Sequence, residues 1–261
     1  MKIVLVVLPL VVLAWLLVYL LQGKMIFFPQ PIPEISRMYW SDHEITLVRK
    51  GRRLQGWYLD GSVSRETPLL IYYGGNADEL SSNLNDLGQL KSGATLTLNY
   101  PGYGATEGRP SERRILADAL FAFDEITTQE GIAPENVVLL GRSLGSGVAV
   151  HVASQRPVRG VILVTPFDSL LGVARRHYPS LPVGLVLVHR FDSLALAPSI
   201  TVPALFLISG RDQLIPPDLS LKLAQAWGGP VQTVIIGQTG HNEIQTDIRY
   251  WDSINAFLEG P

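Results

Sequence analysis

From residue 68 onward the chain alternates two kinds of segment, and that alternation restricts its fold more than any other feature. Short apolar runs rich in β-branched residues fall at Pro68–Tyr73, Thr95–Tyr100, Val137–Gly141, Gly160–Thr165, Pro203–Ser209 and Val231–Ile236. Each reads as a strand. Stretches of helical character intervene at Ala77–Lys91, Pro110–Glu130, Leu144–Gln155, Pro217–Trp227 and Glu243–Glu259. In the second of these, Leu116, Leu120 and Phe123 share one face. Strands separated by helices imply a mostly parallel sheet covered on both sides, the α/β class. Ahead of them, Glu44–Lys50 and Arg53–Asp60 are joined by Gly51-Arg52, which predicts an antiparallel hairpin. Asp168–Ile200 is less regular and is expected to form a small cap over the carboxyl edge of the sheet.

Composition removes several function classes. Lys and Arg total 21 against 23 Asp and Glu, a net charge of −2, so bulk charge does not suit nucleic-acid binding. With 47% hydrophobic and 17% charged residues the chain has ample side chain to bury and is not disordered. The absence of cysteine excludes disulfides, thiolate metal sites, a cysteine nucleophile and an N-terminal lipid-carrying cysteine.

The N-terminus carries a separate signal. From Ile3 to Leu21, 18 of 19 residues are apolar, Pro9 being the exception. As a helix this run spans about 28 Å, close to the ~30 Å hydrocarbon core of a bilayer. It exceeds the usual signal-peptide core, and Leu20-Leu21-Gln22-Gly23 is a poor cleavage site. Residues 1–23 are therefore expected to be a single-pass transmembrane anchor, or an uncleaved signal. Lys2 and Lys24 flank the run and give only a slight N-inside bias, which leaves the side of the membrane open. Phe27–Pro33 reads as a proline-stiffened connector, and residues 24–261 as one domain with a cap insert around 168–200.

In an open parallel sheet, functional side chains belong on loops past the carboxyl ends of strands. Gly141-Arg142-Ser143-Leu144-Gly145 follows one strand and precedes a helix, matching G-x-S-x-G in the context that gives it meaning. A serine on so sharp a turn takes strained backbone angles, and Gly141 and Gly145 remove side chains that would collide with nearby backbone. The helix start aims N–H groups at the position of an oxyanion. Such a serine needs a base, and the base an orienting acid. Of five histidines only His241 follows the last strand, in a glycine-flanked loop; His43, His151, His177 and His189 read as structural or surface residues. Asp212 closes the seventh strand and is the expected acid, with Asp168 the alternative and Asp192 a turn or cap residue.

The order Ser143…Asp212…His241 is that of the α/β-hydrolases, which the chain resembles along Phe27–Pro261. Within that superfamily it is most similar to the membrane-anchored BEM46-type branch containing α/β-hydrolase domain-containing proteins 13 and 17. The segments that carry the likeness include Phe27-Phe28-Pro29, Tyr73–Ala77, Asn99–Gly104, Gly108–Glu112, Gly141–Gly145, Gly210-Arg211-Asp212 and Gly240-His241-Asn242. The resemblance implies eight strands with only the second antiparallel. It also implies an oxyanion hole from the N–H of Leu144 and that of Asn76 or Ala77. The branch usually has His-Gly-Asn-Ala where this chain has Gly74-Gly75-Asn76-Ala77, and often an aspartate at Asn99, a position that reads as structural.

These features point to acyl transfer to water through a Ser143 acyl-enzyme on an ester, thioester or lipid-derived acyl group, without metal or cofactor. A peptidase or amidase on the same side chains and a non-catalytic binding protein on the same fold are the alternatives. The apolar stretch Leu181–Val188 suits either an acyl pocket, a bilayer-facing surface or plain packing of the cap, and Arg175-Arg176-His177 either anionic headgroups or a solvated face.

Overall fold

The structure, a computed structural model, describes residues 2–64 and 66–260, and for residues 2–12 and 14 the backbone alone. Eight strands form one sheet: β1 (Glu44–Arg49), β2 (Arg52–Leu59), β3 (Leu69–Tyr73), β4 (Ala94–Leu98), β5 (Val137–Arg142), β6 (Gly160–Val164), β7 (Ala204–Ser209) and β8 (Val231–Ile236). Their spatial order is β1-β2-β4-β3-β5-β6-β7-β8. β2 is antiparallel to β1 and β4, and all other pairs are parallel, as expected. The strand order reverses between β3 and β5, which opens a crevice at their carboxyl ends.

The helices are α1 (Lys2–Ile26), α2 (Glu34–Tyr39), α3 (Leu84–Leu87), α4 (Glu112–Gln129), α5 (Leu144–Ala153), α6 (Leu170–His177), α7 (Ser193–Leu196), α8 (Pro217–Gln225) and α9 (Ile248–Glu259). Every residue of β3, β6 and β7 is buried, the mark of strands covered on both faces. Alternate residues feed two cores. Ile71 and Tyr73 pack with Phe123 of α4, Val148 of α5 and Leu223 of α8, whereas Leu70 and Tyr72 pack with Leu84 of α3 and Phe257 of α9.

Two helical expectations are corrected. Ala77–Lys91 holds only a 3₁₀ turn at Leu80–Asn83 and the short α3. Its Ser, Asn and Asp residues compete with the helix by bonding nearby backbone, and the Glu79 carboxylate accepts the Ser81 N–H at 3.0 Å. The last helix begins at Ile248 rather than at Glu243, because Asp247 caps it by accepting the Arg249 N–H at 3.0 Å. Among the described residues no helix is long and apolar enough to cross a membrane. The expected anchor, Ile3–Leu21, falls mostly on residues whose side chains lie outside the described ones.

Candidate functional site

The turn after β5 is held under strain. Ser143 takes φ 51° and ψ −117°, a left-handed φ that a side chain tolerates only where its surroundings enforce it. Its N–H donates to Val164 O of β6 at 2.9 Å. The flanking glycines are required by close approach: a Cβ on Gly145 would lie 2.0 Å from Tyr73 O, and one on Gly141 2.3 Å from Gly145 O. The backbone thus presents the Ser143 hydroxyl over the crevice between β3 and β5.

Two further loops converge on it. The His241 ring places Nε2 3.0 Å from Ser143 Oγ and Nδ1 2.6 Å from Asp212 Oδ2. Asp212 follows β7 with its side chain only 2% exposed, and its other oxygen accepts the N–H groups of Leu214 (2.9 Å) and Ile215 (2.7 Å). The carboxylate is therefore fixed in rotation before it meets the imidazole. The loop carrying His241 is pinned from below: the buried Ser209 hydroxyl at the end of β7 lies 2.5 Å from Thr239 O and 2.8 Å from Gly240 O. Ser209 attracted no attention in the sequence, since a serine at a strand end carries no signal of its distant partner.

The loop after β3 forms the other wall. Gly75 N–H is already taken by Asp78 Oδ2 at 2.6 Å, so it is not available to a ligand. The Asn76 side chain is committed as well: its amide donates to Ile26 O, and its carbonyl oxygen accepts from Tyr103 Oη at 2.9 Å. Tyr100 Oη donates to Gly74 O at 2.8 Å. These bonds fasten the loop in which this chain has Gly74 where the branch it resembles usually has a histidine, and they span 26 to 50 residues of sequence. Arg142, the second residue of the turn, sits 4.0 Å from Asp78 Oδ1 and links the two loops. Burial pushes the Tyr72 phenol well above its ordinary pKa, with the Asp78 charge adding to it, so Tyr72 stays a neutral donor to Asp78 at 3.0 Å.

Asn76, Ser143 and Leu144 border one cavity of about 380 Å³, whose remaining lining is mainly apolar and includes Met25, Phe28, Leu170 and Leu187. Leu144 is the first residue of α5, so its N–H has no intrahelical acceptor. Ala77 is exposed and does not border the cavity. The site has a hydroxyl beside an imidazole, a carboxylate behind that imidazole and a helix start facing apolar space. Such an arrangement can activate an oxygen nucleophile and hold a developing oxyanion.

The other residues weighed from sequence lie elsewhere. Asp168 is buried and pairs with Lys222 Nζ at 2.6 Å, and Asp192 caps α7 by accepting the Ala195 N–H at 3.3 Å. Asn99 Nδ2 donates to Gln55 Oε1 at 2.6 Å, a structural bond between β2 and the end of β4. His189 Nδ1 accepts the Glu112 N–H at 3.3 Å, and burial lowers its pKa, as it does for His151. His177 borders the cavity, where its Nε2 lies 2.8 Å from Leu214 O. His43 lies in a 3₁₀ turn before β1.

The serine hydrolase family matches residues 123–260, a span that includes Ser143, Asp212 and His241. An uncharacterized protein of Mycobacterium tuberculosis is 34% identical over 248 residues, which is 91% of this chain and 87% of its own. Human alpha/beta hydrolase domain-containing protein 17B is 28% identical over 216 residues, 82% of this chain and 74% of its own. The crystal structure of an α/β-hydrolase from Vibrio vulnificus superposes with a TM-score of 0.70 at 21% identity, covering 86% of each chain.

Proposed function

The chain belongs to the serine hydrolase family, and from that premise we propose that it cleaves an ester, thioester or lipid-derived acyl bond with Ser143 as nucleophile. One observation carries the reading: a single imidazole spans Ser143 Oγ at 3.0 Å and the buried Asp212 carboxylate at 2.6 Å. With Nδ1–H donated to Asp212, the other ring nitrogen, Nε2, is left to accept the Ser143 proton. The oxygen then attacks the acyl carbon. The N–H groups of Leu144 and Asn76 receive the negative charge, each worth roughly 2.7–4 kcal/mol in the transition state. His241 returns the proton to the leaving group, and water repeats the sequence on the acyl-enzyme. The mainly apolar cavity supports an acyl chain as the bound part of the substrate.

Residues 1–23 complete the proposal as a single-pass anchor that keeps this domain at a membrane. The support is the apolar run Ile3–Leu21, of a length suited to a bilayer. A fluorophosphonate probe tests the enzymatic part. Wild-type protein should be labelled and Ser143→Ala should not. An unlabelled wild type with a cooperative melt would favour a non-catalytic role, and turnover confined to aminoacyl anilides rather than p-nitrophenyl esters would favour an amidase.

A further inference from the structure

The last turns of α1 are fastened to the insert that follows β6. Gln22 is buried near the end of an apolar helix. Its amide nitrogen donates to Val186 O at 3.0 Å, while its oxygen accepts the Val188 N–H at 2.7 Å. This two-point bond makes the helix end and the Leu181–Val188 turn a single surface. Large apolar side chains stand out from it: Leu17 and Leu20 of α1 are 48% and 64% exposed, and Leu181, Leu185 and Val188 of the turn are 51%, 84% and 52% exposed. Large apolar side chains exposed on both of two tethered segments mark an interaction site rather than ordinary surface.

The charge around that face identifies its occupant. From Leu170 to Phe191 the insert has three arginines and no Asp or Glu. Arg176 is engaged by Asp218 at 3.1 Å. Arg175 and Arg190 flank a shallow groove of about 360 Å³ floored by Leu171, Leu181 and Leu185. The Arg190 guanidinium hydrogen-bonds only the carbonyls of Gly184 (3.4 Å) and Leu187 (3.5 Å). Its nearby countercharge is the Glu112 carboxylate, which accepts the Arg190 backbone N–H at 2.6 Å, and among the described residues no carboxylate closes an ion pair on the guanidinium of Arg175 or Arg190. An apolar tip flanked by two guanidinium groups that no ion pair engages matches the layering of an anionic leaflet, hydrocarbon beneath phosphate. The apolar run that leads into this face through α1 requires the same surroundings.

We propose that the insert is a second membrane contact: the Leu181–Val188 turn dips into an anionic lipid surface beside α1, with Arg175 and Arg190 on lipid phosphates at its margin. The exposed side chains at the mouth of the 380 Å³ cavity, Met25, Phe28, Tyr178 and Leu214, then also meet lipid. An acyl chain passes from the bilayer to Ser143 without crossing water. This deepens the proposed hydrolase function and rests on its anchoring part, but lipid contact can be read without any turnover.

The chain has no cysteine, so Leu185→Cys carries a single NBD label, and Thr128→Cys near the far end of α4, about 24 Å along that helix from Glu112, serves as control. The full-length chain goes into nanodiscs of phosphatidylcholine with and without phosphatidylglycerol. The label at 185 should shift to the blue and be quenched by nitroxide lipids, more so with phosphatidylglycerol, while the label at 128 stays water-like. Arg175→Gln with Arg190→Gln should erase the phosphatidylglycerol increment. Leu185→Asp should slow hydrolysis of a bilayer-embedded long-chain ester about tenfold, the worth of one buried leucine, and leave a soluble short-chain ester untouched. Water-like emission at 185 in both discs overturns the proposal, as does a blue shift in detergent that grows with protein concentration, which would mean a protein contact. If no ester is turned over, the hydrolase reading fails while the label still decides this one.

Discussion

Replacing Asp212 by asparagine changes one atom of the site and should almost abolish turnover. In the native protein Oδ1 of Asp212 accepts the N–H groups of Leu214 and Ile215, and Oδ2 accepts from His241 Nδ1. Those two backbone donors would hold the oxygen of an asparagine and turn its amide nitrogen toward His241. Nδ1 must then act as acceptor, which moves the ring proton to Nε2, the atom 3.0 Å from Ser143 Oγ. A protonated Nε2 cannot take the hydroxyl proton. The wrong tautomer costs about 10⁴ in kcat, equivalent to about 5.4 kcal/mol at ~1.36 kcal/mol per decade. KM should hold, because Leu214 and Ile215 border the cavity and Asp212 does not. Stability should hold too, since both backbone bonds survive. Asp212→Ala instead strands the buried Ile215 N–H, at roughly 1–3 kcal/mol, and leaves the more exposed Leu214 N–H to water, so it should lose about 1–3 kcal/mol as well as activity. Initial rates on p-nitrophenyl butyrate and thermal melts of both variants separate the effects. An Asp212→Asn protein within about tenfold of wild type would refute the orienting role, and one that melts like Asp212→Ala would refute the account of the backbone donors.

Three further outcomes follow from the same geometry. Asn76→Ala cuts the loop after β3 loose from Ile26 and Tyr103 and should lower kcat by about 10²-fold through misplacement of its N–H, with Tyr103→Phe a milder version; unchanged kcat on a soluble ester would remove that loop from the chemistry. Asp168→Asn should keep full kcat and lose only about 1 kcal/mol in a denaturant titration, because Lys222 stays half in water and screens the pair; a collapse of kcat would revive Asp168 as the acid. Burial raises the Glu112 carboxyl above its ordinary pKa, against the Arg190 and Phe191 N–H groups that favour its charged form. Folded protein thus holds this proton more tightly than unfolded chain, a stabilisation present at low pH and lost as pH rises through the raised value. The Tm of wild type relative to Glu112→Gln should accordingly improve as pH falls from 7 to 4, and a constant or opposite difference would contradict this.

What could be read from the sequence was whatever neighbouring residues decide. The runs that became β3, β5, β6 and β7 are apolar because helices cover both faces, and the turn at Ser143 announces itself by glycines two residues to either side. Asp212 and His241 were legible by position, each just past a strand end, and their order after Ser143 carried the resemblance. The segment after β3 misled because its leucines are spaced as in a helix while its Ser, Asn and Asp residues break one. Nothing local reveals that Asn76 grips Ile26, 50 residues away, or that Gln22 grips Val186, 164 residues away. Such bonds exist only once the sheet has brought the loops together, and they are what fixes the walls of the site. Ser209 beneath the His241 loop and Arg142 against Asp78 were overlooked for the same reason.

The central claim is that the Ser143 hydroxyl becomes acylated. Mixing the protein with a p-nitrophenyl acyl ester, quenching in acid within the first turnover and mapping peptides by mass should find the acyl mass on the peptide containing Ser143. The adduct should vanish in Ser143→Ala and disappear with time in wild type as water completes the cycle. A folded wild-type protein that releases nitrophenol with no acyl mass on that peptide, or with the mass on another residue, would contradict it.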